Sequence, residues 1–217
     1  MKLNLGLHFK NKNDTSPCSC NNLSGATYSQ YLEINDFYNK NYLSLCFLEG
    51  TMILCFNPYT QREEYHAIET IRNGDLVKTS MHGYKKIDTI GYSQIYNSSK
   101  SDSKNRLYKC SKDKYSELIK DLYITGAHSI LVDSLTNYQV EETIKELGEI
   151  FITDNKYRLM SYLDEKNEPY LLEGIFNIWH FALEHVNCEM NYGIYANGLL
   201  VETISKRMLN EYMSIII

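Results

Sequence analysis

The chain has 217 residues, 22 Lys and Arg against 27 Asp and Glu, and a composition that is 43% hydrophobic and 23% charged. This mixture is typical of one globular domain with or without a short appendage, and it excludes disordered and fibrous chains. The net charge of −5 argues against a protein that mainly binds nucleic acid or anionic lipid, because either partner needs a concentrated basic face.

No run of about 18 apolar residues is present, so no segment is expected to span a membrane. Residues 1–8 (MKLNLGLH) turn polar too early for a signal peptide. We therefore expect an intracellular protein. Its richness in Asn, Lys, Ile and Tyr would suit an AT-rich viral or microbial genome.

Residues 1–41 are rich in Asn, Ser, Thr and Lys, which predicts a weakly ordered leader with one short helix near residues 28–38. Cys18 and Cys20 lie in this stretch, where the two further ligands that a zinc site needs are absent. A zinc or thiol-redox function is thus a remote alternative. Without an export signal the six cysteines are expected to be reduced, with Cys110 and Cys188 as small buried apolar residues.

From residue 42 onward, short apolar runs alternate with turn residues, as in a chain of many short strands. Residues 51–56 and 64–68 predict a hairpin, and the Asn-Gly-Asp turn at 73–75 precedes a strand at 76–79. Short helices are predicted at 138–147 and 205–213, and a long loop at 97–118. The pattern predicts an all-β domain. Further predicted strands cover residues 84–96, 106–110, 122–124, 129–132, 149–153, 157–161, 175–185, 192–196 and 199–202.

Four sequence blocks in this region share their order and content with one family. They are residues 46–51 (CFLEGT), 73–77 (NGDLV), 122–133 (LYITGAHSILVD), and the pair 179–185 (WHFALEH) and 192–202 (YGIYANGLLVE). Together they resemble the Hint domain, the fold shared by inteins and the processing domain of Hedgehog proteins. The match covers about residues 46–203. It is nearest the stand-alone Hint type, because His180 stands where many inteins carry Asp.

The resemblance implies a horseshoe-like, pseudo-two-fold all-β Hint domain at residues 46–203, with a polar leader at 1–45 and a tail helix at 204–217. The chemistry of Cys46 agrees with it. A thiol that attacks the carbonyl just before it, here that of Leu45, forms a five-membered ring and can exchange the peptide bond for a thioester.

Three further residues complete the predicted catalytic set. The resemblance implies that His128 supplies the proton that the departing amide nitrogen requires. Thr125 would hydrogen-bond the peptide and hold it bent. His180 would act as a second acid or base, or polarise Cys46. The other histidines, His8, His66, His82 and His185, are interpreted as structural.

The end of the domain decides which reaction is open to it. A splicing intein closes with a His-Asn pair, but here Glu202 and Thr203 occupy those places, so splicing is not expected. Single-turnover cleavage of the Leu45–Cys46 bond remains, with the chain's own leader as cis substrate and water or a small nucleophile as acceptor. A sterol acceptor is not expected, since only residues 204–217 follow Thr203. No cofactor or metal is required.

A second hypothesis keeps the fold without its chemistry. The missing terminal Asn and the featureless leader would both suit a slow or inactive Hint fold that is retained as a structural or interaction module. In either case Glu202 is interpreted as a solvated strand end.

Overall fold

The computed structural model describes residues 45–216. In that range the chain consists mainly of antiparallel strands with two short helices, which confirms the all-β class and the short C-terminal helix predicted from the sequence. The predictions for residues 1–44, including Cys18, Cys20 and the leader helix, lie outside the described residues. Neither described helix is long and apolar enough to cross a membrane.

The elements follow one another in short steps. The helices are α1 (Asn137–Leu147) and α2 (Lys206–Tyr212), and 3₁₀ turns occupy Ile68–Thr70 and Ser161–Leu163. The strands are β1 (Phe47–Leu48), β2 (Met52–Asn57), β3 (Arg62–Ala67), β4 (Leu76–Lys78), β5 (Tyr84–Asn97), β6 (Leu107–Cys110), β7 (Leu122–Thr125), β8 (Ser129–Val132), β9 (Ile152–Thr153), β10 (Lys156–Met160), β11 (Asn167–Pro169), β12 (Gly174–Leu183), β13 (Gly193–Ala196), β14 (Leu199–Glu202) and β15 (Ser214–Ile216).

The two long strands β5 and β12 connect the sheet and position the site. They pair from Gly174 opposite Asn97 to Leu183 opposite Ile87. The first residues of β5, from Tyr84 to Lys86, pair instead with β4. Strand β5 therefore joins the two parts of the order β11-β6-β7-β1-β12-β5-β4-β2-β13-β14-β8-β10-β9. Short β1 is held between β7 and β12, which places the start of the described chain in the middle of the sheet.

Helix α1 begins and ends where its sequence predicts. Thr136 caps its start, with the Thr136 hydroxyl accepting from the amide of Gln139 and the Gln139 side chain accepting from the amide of Thr136. Gly148 ends it with a φ of 81°, a left-handed conformation that glycine adopts readily.

The C-terminal segment differs from the predicted tail helix. Helix α2 ends at Tyr212, and Met213 is extended, with φ −129° and ψ 152°. Strand β15, which was not predicted, then pairs with β5. The apolar end of the chain forms a strand here because β5 offers it a free sheet edge.

The cysteines in the described range differ in exposure. Cys55 and Cys110 are buried reduced thiols, and burial raises the pKa of Cys55 to about 12. Burial also raises the pKa of Cys110. Cys188 is exposed, so the prediction that it is a buried small residue is wrong: it lies in the irregular connection between β12 and β13, outside the packed sheet.

Candidate functional site

Thr125 binds the backbone of Cys46 on both of its polar groups. The amide of Cys46 donates to the Thr125 hydroxyl at 2.9 Å, and the amide of Thr125 donates to the Cys46 carbonyl at 3.0 Å. Both residues are buried, at 4% exposed for Cys46 and 0% for Thr125. The nitrogen of the Leu45–Cys46 bond is therefore fixed to a side-chain oxygen inside the protein.

The turn after Thr125 is pressed between two other segments. Its Gly126 amide donates to the carbonyl of Arg106, and its Gly126 carbonyl accepts from the amide of Tyr162. A Cβ atom on Gly126 would lie 1.9 Å from the carbonyl oxygen of Ser103. The turn needs glycine for this close approach, and the packing holds the following His128 in one place.

Two histidine rings and one phenyl ring meet beside the Leu45–Cys46 bond. The ring centroids of Phe47 and His128 are 4.3 Å apart, and those of Phe47 and His180 are 4.9 Å apart. The two imidazoles stack, with centroids 5.1 Å apart and planes inclined by 25°. Phe47, the neighbour of Cys46 in sequence, thus packs against both imidazoles.

Burial keeps His128 neutral. Loss of solvent lowers the pKa of His128 from 6.5 to about 3, although the backbone carbonyls of Glu202 and Leu45 lie near enough to favour the protonated ring. Neither ring nitrogen makes a hydrogen bond of normal geometry. Buried polar atoms are nearly always hydrogen-bonded, so a pair of unsatisfied nitrogens beside a peptide carbonyl suggests a chemical role.

His180 reaches the same place from β12. Strand β1 pairs with β12 and with β7 through Phe47. Phe47 lies opposite Trp179 of β12, the residue before His180, and its ring contacts the His180 imidazole. Burial lowers the pKa of His180 well below its usual value, and the neighbouring His128 lowers it further.

The tautomer of His180 follows from its backbone contact. The amide of Phe181 donates to Nδ1 of His180 at 2.8 Å. Nδ1 is therefore the acceptor, and the neutral ring carries its proton on Nε2.

The four residues predicted to be catalytic are thus close neighbours in the structure. Cys46 contacts Thr125 directly, and Phe47 bridges His128 and His180 next to it. The chemical roles assigned to them stay predictions.

The chain was compared with known proteins. No protein-family model matches it, and no curated protein sequence matches it. Among solved structures it is similar to a bacterial intein-like domain from Clostridium thermocellum, determined in solution, with a TM-score of 0.41 and 14% sequence identity. The similarity covers 73% of this chain and 97% of that domain. At this level the similarity assigns no function by itself.

Glu202 is not the solvated strand end that its position suggested. It is 5% exposed, and its carboxylate pairs with Nε of Arg158 at 2.8 Å and accepts from Asn191 at 2.5 Å. Burial raises the pKa of Glu202, and the Arg158 charge and these hydrogen bonds only partly offset it. The end of β14 is turned inward because Arg158 of β10, far away in sequence, supplies the counter-charge.

The sequence interpretation therefore missed Arg158 and Glu202 as residues that shape the site. Glu202 contributes a backbone carbonyl close to His128, and its side chain fixes where that carbonyl lies. The available signal was its context: a single acid between apolar Val201 and Ile204 at the end of a buried strand.

A second polar cluster lies on another part of the surface. Asp154 accepts from the hydroxyl of Ser80, contacts Nε2 of His82 at 3.0 Å and accepts from the amide of Gly193 at 2.9 Å. In a hydrolase triad the histidine lies between the hydroxyl and the acid, whereas here the acid lies between them. This cluster therefore ties three loops together. Between residues 45 and 216, no three His, Cys, Asp or Glu residues could jointly hold a metal ion.

Proposed function

We propose that this chain is a Hint-type self-processing domain that cleaves the Leu45–Cys46 bond through a thioester, without splicing. One observation carries the proposal: a single peptide bond is contacted on both sides by the predicted machinery. Thr125 accepts from its N–H at 2.9 Å, and its carbonyl lies near the unsatisfied ring of His128.

The reaction is balanced without any further reagent. Sγ of Cys46 attacks the carbonyl carbon of Leu45 through a five-membered ring, a C–S bond forms and the C–N bond breaks. The proton lost by the thiol ends on the freed α-amine of Cys46. Water, or another small nucleophile, then attacks the thioester and breaks the C–S bond, which releases residues 1–45 and restores the thiol. Such intramolecular attack lowers a barrier by up to several kcal/mol through proximity alone.

His128 is suited to move that proton. With its pKa at about 3 the ring is neutral at neutral pH and is a weak base, so it takes up the thiol proton only in the course of the attack. The imidazolium formed is then a strong enough acid to protonate an amide nitrogen, which a histidine of ordinary pKa does poorly. Positioned acid–base groups typically contribute a factor of about 10²–10⁴ to the rate.

Thr125 and His180 support the same step. The Thr125 hydroxyl already contacts the nitrogen that leaves, so it orients that nitrogen for protonation. The proton on Nε2 of His180 is available to a partner in the ring cluster next to Cys46, where His180 would stabilise a developing thiolate or oxyanion.

A structural module remains the second candidate, and the burial of Cys46 favours it. Cys46 is 4% exposed and packs in an apolar cluster with Ile95, Leu107 and Ile178. Apolar surroundings disfavour a thiolate, and such a cysteine reacts slowly. The two candidates differ in one observable, namely whether the leader is released.

Intact-mass spectrometry of the 217-residue chain separates them. We expect a fragment that ends at Leu45, formed faster with added thiol or hydroxylamine, and no such fragment from Cys46→Ala. Cys55→Ala is the matched control, because it also removes a buried thiol and should cleave like the unmodified chain. A mass that stays at 25.3 kDa after long incubation with thiol would leave the structural module as the function.

A further inference from the structure

The last described strand, β15, belongs to the same sheet as the strands that carry the candidate site. Ile215 of β15 lies opposite Gly91 of β5, and Gly91 lies opposite His180 of β12. Strand β1 pairs with β12 one residue along, where Phe47 lies opposite Trp179, and the Cys46 amide donates to the Thr125 hydroxyl. In this sheet β5 and β12 thus lie between β15 and β1, the strand that follows the scissile bond.

The same segment covers Leu45. The described part of the chain places Leu45 against an apolar cluster to which α2 and the residue after it contribute. Met213 packs against this cluster and also against the cluster that contains Cys46. The acyl side of the Leu45–Cys46 bond therefore shares an apolar cluster with residues 205–216, which we call the strap. The Leu45 cluster consists of Ala182, Ile204, Leu209, Met208 and Met213.

Gly91 allows the strap to come this close. A Cβ atom at Gly91 would lie 2.9 Å from Cβ of Met213 and 3.1 Å from the carbonyl oxygen of Ser214. Both distances are shorter than relaxed van der Waals contacts, so a side chain at position 91 would push the strap outward. A glycine in a strand often marks such a close backbone approach.

The polar attachments of the strap are weak. Lys206 pairs with Asp88 at 2.5 Å, with side chains 41% and 29% exposed. Arg207 pairs with Glu189, and these side chains are 54% and 49% exposed. Exposed ion pairs stabilise little, so the strap is held mainly by its apolar contacts and by the three-residue ladder between β15 and β5. Segments of this kind open locally more easily than the whole domain unfolds.

We propose that the strap controls which nucleophiles reach the thioester. The Met213 side chain blocks their access, and the missing side chain at Gly91 allows Met213 to pack in that position. This inference rests on the proposed function for its chemistry. Closed, the strap keeps water away from the Leu45 carbonyl while the acyl shift occurs. When the strap opens locally, the nucleophile that cleaves the thioester can enter. A larger nucleophile needs a wider opening, which occurs less often, and therefore reacts more slowly.

The first test needs no cleavage. Met213→Ala removes the barrier, Gly91→Ala displaces it, and Glu211→Ala is the matched control, an exposed change on the same helix. The native full chain is treated with iodoacetamide, and each cysteine is followed by mass mapping. We expect alkylation of Cys46 to become on the order of tenfold faster in both test variants and to stay unchanged in Glu211→Ala.

The other cysteines serve as internal references. Exposed Cys188 should react at one rate in all variants, and buried Cys55 and Cys110 should stay slow, because the opening is local. An unchanged rate at Cys46 in both Met213→Ala and Gly91→Ala would overturn the proposal. So would a rise at Cys46 that Cys55 and Cys110 share equally.

The second test follows release of the leader with two thiols of different size, mercaptoethanol and glutathione. For the unmodified chain we expect the smaller thiol to act faster. In Met213→Ala, leader release by glutathione should become on the order of tenfold faster, so that the rates with the two thiols differ less. Equal rates for the two thiols in the unmodified chain would refute the strap and leave self-processing intact. Absence of release would refute self-processing, and alkylation would still decide the role of the strap.

Discussion

Thr125 and Cys46 are joined by two short hydrogen bonds that run in opposite directions, from the Cys46 amide to the Thr125 hydroxyl at 2.9 Å and from the Thr125 amide to the Cys46 carbonyl at 3.0 Å. A longer one, at 3.4 Å, runs from the Thr125 hydroxyl to the Cys46 carbonyl. The second short bond joins two backbone groups, so it does not depend on which side chain stands at position 125. The first depends on the side chain alone. Position 125 therefore allows the structural and chemical roles of the turn to be separated.

Thr125→Val should remove the acceptor for the scissile N–H and leave the shape of the side chain almost unchanged. A buried amide left without its partner is expected to lower the free energy of unfolding by about 1–3 kcal/mol. We expect leader release to slow by about 10²-fold or more, since the leaving nitrogen is no longer oriented. Thr125→Ser keeps the hydroxyl and should release the leader within a few-fold of the original rate. Equal release by the Val and Ser variants, followed by intact mass, would contradict the assigned role.

Stability should fall as the pH falls below about 6.5, because His128 has a folded-state pKa of about 3 against 6.5 when unfolded. Between pH 3 and pH 6.5, roughly, His128 binds a proton in the unfolded chain but not in the folded chain. The free energy of unfolding then decreases by up to roughly 1 kcal/mol for each pH unit. His180 acts in the same direction, because its pKa is also lowered. Glu202 acts in the opposite direction at lower pH, since its pKa is raised above 4.5.

Urea unfolding at pH 7.5, 6.5 and 5.5 measures this slope above the range in which ordinary carboxylates titrate. His128→Phe keeps a ring of similar size against Phe47 and removes the titrating group. Its pH dependence should be shallower than that of the unmodified chain. Identical slopes for the two proteins would mean that His128 titrates normally in the folded state.

Local pattern was enough to predict most of the strands. Alternation and turn residues located β5, β12 and β14 within one or two residues, and the same signals located α1. These elements are stabilised by their own sequence, through β-branched residues, a capping Thr and glycines in turns. The blocks that contain Cys46, Thr125, His128 and His180 were also visible, because each of these residues stands in a short, recognisable motif.

What could not be predicted depends on contacts between distant residues. Glu202 is buried because Arg158 reaches it from another strand, and neither position signals the other in sequence. Strand β15 forms because Gly91 leaves room beside β5, which a pattern read along the chain does not reveal. The burial that shifts the pKa of His128 likewise comes from segments that meet only in the folded protein.

The pair of Arg158 and Glu202 should be much more sensitive to single than to double substitution. Arg158→Met leaves a buried carboxylate without its counter-charge, which is expected to lower the free energy of unfolding by about 3–5 kcal/mol at pH 7. Protonation of Glu202 removes the unpaired charge, so the difference in unfolding free energy between Arg158→Met and the unmodified chain should be smaller at pH 5. Arg158→Met combined with Glu202→Leu should recover most of the stability. Urea unfolding that showed additive losses in the double variant would argue against a coupled buried pair.

Gly126 should tolerate no side chain, and the reason is steric rather than conformational. Its Cβ would lie 1.9 Å from the carbonyl oxygen of Ser103, a backbone atom that has no rotamer by which to move away. Gly126→Ala must therefore shift either the 102–106 turn or the turn that carries His128. We expect a loss of several kcal/mol in the free energy of unfolding, comparable with severe overpacking, and loss of leader release.

Gly148 is the matched control, because it has a φ of 81° but nothing within 4 Å of its Cβ direction. Gly148→Ala should lower the free energy of unfolding by only about 1 kcal/mol, through left-handed strain at the end of α1, and should leave the release rate unchanged. Urea unfolding and intact-mass time courses on both variants give the comparison. If Gly126→Ala were no more damaging than Gly148→Ala, the turn could not be as tightly packed as its contacts indicate. The position of His128 would then have to be fixed by the contacts of its imidazole with the rings of Phe47 and His180.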